Sequence, residues 1–377
     1  MSKIDRRKFL GSAALGLGGL GLGGLGGVGL GLAPSPARGQ VPDFSGRIVE
    51  LIIPFKEGGG SDTWGRFNAP FLSRYLPGQP TVVVRNVPGG NSIAGANRFA
   101  ARARPDGLSV LGTSASTQFP YLMDDPRVRY EYRDWRVLMA YGTGGVAYVS
   151  SDLGIADATE LGRIADRELL YGSQGPTSLD LVPVLGFKLM GLNVRPIFGM
   201  SGRGAGRLAF ERGELNIDYQ TSTAYLRNVV PLIEQGDAVP LFSWGALDDD
   251  GNLIRDPTFP DLPHYGEAYE LLHGEPPSGP GWESWFAFFT AGFPAQKLLV
   301  APADTSDEIV GAYEEAVRAM RRDPDYIARK PAALGTYEQV VGPAAQRIYE
   351  LATDVPQSAR TWVRTWLKDE FRVNLEA

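Results

Sequence analysis

Val49-Glu50-Leu51-Ile52-Ile53-Pro54-Phe55 runs into Gly58-Gly59-Gly60-Ser61-Asp62, and soon afterwards Thr81-Val82-Val83-Val84-Arg85-Asn86 runs into Pro88-Gly89-Gly90-Asn91-Ser92. Each stretch reads as an apolar β-strand that ends in a turn of bare backbone and then opens a helix. The first N–H groups of a helix lack intrahelical partners and carry a partial positive charge. Two such ends aimed at one point form an anion site from backbone alone, with no need of lysine or arginine. The pattern suits a small carboxylate or phosphate.

Working outward, Arg104-Pro105-Asp106-Gly107 is a turn and Ser109-Val110-Leu111-Gly112-Thr113 a third strand. Strand, helix, strand, helix, strand at this spacing predicts a parallel sheet, because parallel neighbours need a crossover between them. Ligands of such sheets sit beyond the C-terminal strand ends, where both glycine loops fall. The same pieces then recur. Glu168-Leu169-Leu170-Tyr171-Gly172 leads into the loop Ser173-Gln174-Gly175-Pro176-Thr177-Ser178 and a helix reaching Met190; Pro183 locates its first turn and Asp180 or a neighbour its N-cap. Pro70, well inside the helix after Asp62, predicts a kink there. Residues 194–198 form a further strand before Gly199-Met200-Ser201-Gly202-Arg203-Gly204, and residues 214–220 alternate, with Leu215, Ile217 and Tyr219 on one face and polar side chains on the other. A second α/β lobe is expected.

From Asp248-Asp249-Asp250-Gly251-Asn252 to Pro280 the chain is polar and rich in Pro and Gly, and reads as a surface insertion with a short helix near Glu267 to Leu272. Thr305-Ser306-Asp307-Glu308 is a capping-box pattern opening a helix that Arg321-Arg322 and Pro324 stop after Met320. Residues 343–371 read as helical, broken near Pro356. No short internal repeat is visible.

The start, Asp5-Arg6-Arg7-Lys8-Phe9-Leu10-Gly11 and then an uncharged Gly/Leu/Ala stretch to Leu32, has the form of an export signal, and the adjacent arginines point to the twin-arginine route. Ala37-Arg38-Gly39 places the cut before Gln40; retention as a membrane anchor is the rival, weakened by the glycine content. Loss of Lys3, Arg6, Arg7, Lys8, Arg38 and Asp5 takes the formal charge from −6 to −10. Such an acidic chain with no basic tract is unsuited to nucleic acid or anionic membranes. With no cysteine and only His264 and His273, thiolate chemistry, disulfides and histidine-rich metal sites are excluded, and oxygen-ligated calcium is the one metal left open. No cofactor is expected. About 340 mature residues exceed the usual span of one core, which favours two lobes.

Enzyme signatures fail. Gly199-Met200-Ser201-Gly202-Arg203 lacks the last glycine of a nucleophile elbow, and both histidines lie in the polar insertion. Gly202-Arg203-Gly204-Ala205-Gly206-Arg207 lacks the last glycine of a dinucleotide loop, and no Gly-Lys-Ser/Thr occurs. Asp62 reads first as a helix cap, with ligand contact as the alternative. Ser61, Asn91, Ser92, Ser173, Thr177 and Ser178 suit caps and oxyanion sites equally. Among Phe55, Trp64, Phe119, Tyr121, Trp282 and Trp285, only Phe55 sits at a loop; the others read as core. Asp218 either receives a ligand donor or caps a turn.

Together these motifs resemble the extracytoplasmic solute receptors of tripartite tricarboxylate transporters, the Bug or TctC-like family. Residues 52–63 are similar to the family's first glycine motif; Leu76-Pro77-Gly78-Gln79-Pro80 through Pro88-Gly89-Gly90, with Ala96-Asn97 and Pro105-Asp106-Gly107, resembles its second. The likeness continues through Ala209-Phe210-Glu211-Arg212-Gly213-Glu214, Phe259-Pro260-Asp261-Leu262-Pro263 and the helix at 304–323, and spans most of residues 48–340. Two departures stand out: Gly90-Asn91 where many members have Ala-Gly, and Ser173-Gln174-Gly175-Pro176 where glycine is denser.

The resemblance implies an α/β, two-lobed periplasmic-binding-protein fold, type II-like, each lobe a mixed, mostly parallel sheet flanked by helices, closing over a small carboxylate without chemistry. It implies lobe 1 from residues 40–147, lobe 2 from 148–285 with the insertion near 248–280, and a return to lobe 1 with C-terminal helices over 286–377. Binding residues are expected at Phe55, Gly59, Ser61, Asp62, Asn91, Ser92, Ser173, Thr177, Ser178, Ser201 and Asp218. Implied partners are a di-, tri- or aromatic carboxylate and the large and small membrane subunits of the transporter, with the receptor a periplasmic monomer. A carboxylate sensor for signalling would share every one of these residues, and a periplasmic enzyme with an unrecognised site is the other class.

Overall fold

The computed structural model describes residues 42–248 and 250–375. The export segment and its cut before Gln40 lie outside the described residues. Among those described, no helix is long and apolar enough to cross a membrane.

The chain begins as expected: β1 (Ile48–Ile53), α1 (Gly60–Tyr75), β2 (Thr81–Asn86), α2 (Ile93–Arg102) and β3 (Ser109–Thr113). Next come α3 (Ala115–Leu122) and β4 (Arg136–Tyr141). Residues 142–144 then carry the chain into β5 (Gly145–Ser150), which opens a second series: β6 (Leu169–Ser173), α4 (Leu181–Leu189), β7 (Val194–Phe198), α5 (Arg203–Glu211), β8 (Ile217–Thr221), α6 (Ser222–Asn228), α7 (Val230–Gln235) and β9 (Ala238–Ser243). A small antiparallel hairpin, β10 (Ala246–Leu247) and β11 (Leu253–Ile254), precedes α8 (Tyr265–His273) and α9 (Gly279–Gly292). The chain returns through β12 (Lys297–Ala301) and finishes with α10 (Asp307–Met320), α11 (Pro324–Leu334), β13 (Gln339–Val340), α12 (Pro343–Leu351) and α13 (Gln357–Phe371).

These strands build two sheets, ordered β13-β4-β12-β3-β1-β2 and β7-β6-β8-β5-β9. Both are mixed. They are not mostly parallel: β1 pairs in parallel with β2 and β3, but β12 runs antiparallel to β3 and β4, and β13 to β4. In the second sheet β6 is parallel to β7 and β8, whereas β5 is antiparallel to β8 and β9. The reversals have a topological cause, since β5 and β12 enter their sheets from the other lobe rather than through a crossover helix. The register follows: Gly145 lies opposite Thr221 at the C-terminal end of β8, and Leu298 opposite Thr113 at the C-terminal end of β3. Residues 142–144 join the C-terminal edges of the two sheets directly, the chain returns through the segment before β12, and the two edges face one another.

Each sheet has its own apolar core. On the first, α1 buries Trp64, Phe67, Phe71 and Leu72 against Val49, Leu51 and Ile53. On the second, α4 and α9 bury Val182, Leu185, Trp285 and Phe289, and α13 adds Val363 and Leu367 to this same cluster. Trp64, Phe119 and Trp285 are core, as their sequence context suggested.

All five residues of β8 are buried, those of its polar side included, because β8 is the central strand and Arg203 and Tyr148 cover that side. Two local expectations need correction. The helix cap of α10 is Ser306, whose Oγ accepts from Ile309 N, and not a box set from Thr305; a turn from Thr305 N to Pro302 O holds Thr305 back. The polar segment near 248–280 is only partly a surface insertion. Its Asp256, Phe259, Tyr265 and Ala268 are buried, and Thr258 Oγ1 lies 2.9 Å from Thr336 Oγ1, clasping the segment onto the stretch before β13. Asp256 occupies the space beside Gly144, where a Cβ would come 1.6 Å from its Oδ2, so the crossing requires glycine. Burial pushes the Asp256 carboxyl above its ordinary range.

Candidate functional site

A cavity of about 230 Å³ lies between the facing sheet edges. From the first sheet it is lined by the loop 55–60 with Ser61 in the first turn of α1, by Ser114 and Ser116 at the start of α3, and by Gln296 and Lys297 at the start of β12. From the second it receives Gln174, residues 201–205 at the start of α5, and Thr221. An adjoining cavity of about 620 Å³ shares Phe55, Lys56, Gln174 and Ser201 with it and extends to residues 88–92, Arg127 and the loop 174–176. Each wall is a strand end followed by a helix start, so unpaired first-turn N–H groups from α1 and α3 on one side meet those of α5 on the other.

Of the residues expected from sequence, Phe55, Gly59, Ser61 and Ser201 line the first cavity, and Phe55, Asn91, Ser92 and Ser201 the second. Asp62 is buried one turn into α1; its carboxylate accepts from Gly58 N at 3.0 Å, from Asn86 Nδ2 at 2.9 Å and from Arg66 Nε, and so stiffens the glycine loop. Ser92 holds a left-handed backbone at φ +80°, and its Oγ donates to Ser116 O at 2.9 Å, tying α2 to α3. A non-glycine residue in that conformation stores strain that surrounding bonds must hold.

The second loop is more self-contained. Ser173 Oγ accepts from Gly175 N, Ser178 Oγ donates to Gly175 O at 2.8 Å, and Thr177 Oγ1 lies 3.5 Å from Asp125 Oδ2. All three residues are buried and lie outside the linings of both cavities. The two family departures meet here: a Cβ on Gly175 would lie 2.1 Å from Asn91 Nδ2, so the asparagine of one lobe packs on the glycine of the other.

Asp218 lies beneath the cleft. It is fully buried and pairs with Arg203, accepts from Tyr148 Oη at 2.6 Å and from Gln220 Nε2 at 3.0 Å. Arg203 also reaches Asp180 at 3.3 Å and Gly172 O at 2.5 Å, between the rings of Tyr171 and Tyr219. Burial is the largest influence and opposes its charge, yet Asp180 and the oxygens of Tyr171, Tyr219 and Tyr148 together outweigh it and hold the guanidinium above its ordinary value. Asp180, at the N-cap position of α4, makes no side-chain cap bond; its Oδ2 accepts from Gln174 N at 2.6 Å instead. The cluster thus fixes the second loop from below.

Sequence reasoning did not single out Lys297, Gln174, Ser114, Ser116, Arg203 or Thr221. Ser114-Ala115-Ser116-Thr117 after the third strand was a legible signal, since it forms a helix cap at the same sheet edge as the glycine loops. Lys297 carried none, being one lysine before an apolar strand. The structure buries it to 2 % exposure with Nζ donating to Ser61 Oγ at 2.8 Å. Burial without a neighbouring carboxylate pulls its ammonium down to about 7. Among the described residues no group of three or more His, Asp or Glu is placed to hold a metal ion.

No protein-family model matches the chain, and no curated protein matches it in sequence. Solved structures do match in shape. Rpa4515 of Rhodopseudomonas palustris with adipate superposes with a TM-score of 0.64 at 20% identity, covering 84% of this chain and 98% of its own. MatC from the same organism with bound malate gives 0.62 at 18%, covering 84% and 100%. The periplasmic binding protein BugD gives 0.61 at 20%, covering 86% and 98%. The chain has the fold of the periplasmic binding proteins. For this binding-protein fold the cleft between the facing strand ends is the candidate site, and its walls come from both lobes.

Proposed function

We propose that the protein is a Bug/TctC-like extracytoplasmic solute receptor. It captures a small carboxylate between its lobes, without chemistry, and delivers it to the membrane subunits of a tripartite tricarboxylate transporter. Export through the twin-arginine route and work in the periplasm belong to the same reading. The observation that carries it is the convergence of helix N-termini from both sheets, α1 and α3 against α5, on one cleft. That arrangement attracts an anion and, because a bound acid touches both lobes, favours the conformation in which the lobes meet. Structural neighbours seen with malate and with adipate support the choice of a carboxylate over a phosphate.

A thermal-shift screen of the mature chain from Gln40, using di- and tricarboxylates, aromatic acids and amino acids, tests it. A ligand at a hundredfold excess over its Kd stabilises the folded state by about 2.7 kcal/mol, a shift of a few degrees. A hit confined to one class of acid supports the reading and names the substrate. A flat response from ligand-free protein overturns it, and turnover of a bound acid would replace the receptor by an enzyme.

A further inference from the structure

We propose that Lys297 is the charged anchor of the cleft, its Nζ pairing directly with one carboxylate of the captured acid. The proposal rests on reading the cleft as a carboxylate receptor, and it deepens that reading, because helix N-termini alone would need no cation. The antiparallel register of β12 against β3 sets Lys297 at the C-terminal edge of the first sheet, on the cavity floor, beside the first turn of α1. An ammonium has three N–H donors. The hydrogen-bond partner of Nζ is the neutral Ser61 hydroxyl, and among the described residues no carboxylate lies within ion-pair distance of it.

The other charged groups around the cleft are already matched. Arg203 pairs with Asp180 and Asp218, Arg207 with Glu211, and Asp62 on α1 with Arg66. Lys56 and Glu57 are exposed at the rim. Tyr141, the ladder partner of Lys297 on β4, is kept neutral by burial, and Asp256 acts on Tyr141 from the hinge. A buried lysine in such surroundings either gives up its proton or takes its counter-ion from outside. A ligand carboxylate is that counter-ion, and Ser61 Oγ, already bonded to Nζ, is placed to orient the pair.

Capture then takes up a proton. In the empty cleft the ammonium titrates at about 7. A bound carboxylate favours the charged form and raises that value, so above neutrality each binding event draws a proton from solvent to Nζ. Below about 7 the anchor is charged beforehand and affinity is level. Above it, affinity falls about tenfold per pH unit until the pH reaches the higher value of the complex.

The test is titration calorimetry on the mature protein with succinate, adipate and benzoate as probes, from about pH 6.5 to about pH 9, in two buffers of different ionisation enthalpy. Expected for the probe that binds are level affinity followed by a decline, and proton uptake approaching one per ligand on the alkaline side. Lys297→Met loses about a hundredfold in affinity and all of the pH dependence. Without ligand it is at least as thermostable as wild type, since it no longer buries an ammonium. A probe that binds Lys297→Met within about threefold of wild type, or wild-type affinity that stays level to pH 9, overturns the anchor and leaves the receptor standing. Should the variant not fold, the wild-type pH profile decides alone. If no acid from the wider thermal-shift panel binds wild type, the receptor reading falls and the anchor falls with it.

Discussion

The first loop of the first sheet and the first loop of the second are built from the same materials, a strand end, glycines and hydroxyls, and they do different work. In Gly58–Gly60 and Ser61 the glycines leave backbone open to the cleft, and the one hydroxyl turns to Lys297. In residues 173–178 the hydroxyls of Ser173 and Ser178 close hydrogen bonds on Gly175 within the loop itself. The difference teaches that a serine at a strand end is a recognition group only where its own loop offers no backbone partner within reach. Where a partner exists, the local bond is made first, because an unmade bond in a buried site is costly.

Variants can break this contrast at several strengths. The largest effect is expected beneath the second loop, where Asp218→Ala leaves Arg203 short of one buried carboxylate. Removing one member of a buried ion network costs about 3–5 kcal/mol, so the urea midpoint should drop sharply; a midpoint near wild type would show that the Arg203 network does not frame the loop. Next comes Ser61→Ala, which frees Nζ of Lys297 and removes a hydroxyl from the cleft. Affinity for the acid found in the screen should fall about tenfold, or about 1.4 kcal/mol, with Tm lowered by a few degrees at most; an unaltered Kd would take the first loop out of recognition.

Ser178→Ala should behave in the opposite sense. It removes a hydrogen bond worth about 1 kcal/mol and lowers Tm by a few degrees, with affinity held within about twofold. A clear affinity loss at constant Tm would erase the contrast between the loops. The smallest effects are expected at Ser92→Ala and Thr177→Ala, each weakening acid binding by about two- to fivefold through the packing of α2, α3 and the second loop, without unfolding. Unchanged affinity in both, by calorimetry, would remove these positions from the site.

Much of the framework was legible in the chain. Alternation and glycine placement located β1, β2 and β3 and the start of α1, and Pro356 did separate α12 from α13. Of the residues expected to bind ligand, Phe55, Gly59, Ser61, Asn91, Ser92 and Ser201 line the cavities. The strand of Tyr219 was found with its polar face, but not the burial of that face, because alternation reports residue type and not the number of layers packed around a strand. The segment holding Asp256 looked like surface for the same reason: composition does not report that packing buries Asp256, Phe259 and Tyr265.

The repeated strand, glycine loop and helix unit follow from the chain alone, since those signals depend on backbone conformation within a few residues. Charge and pairing follow only from the fold. Arg203 with Asp180 and Asp218, Asn91 against Gly175, and above all Lys297 beside Ser61 join residues brought together by strand register and by the crossing at residues 142–144. A lysine at the start of an apolar strand is a surface residue or a buried anchor according to which strand it lies beside. β12 lies beside β3, and its antiparallel direction, imposed by the chain's return from the other lobe, sets Lys297 at the floor of the cleft.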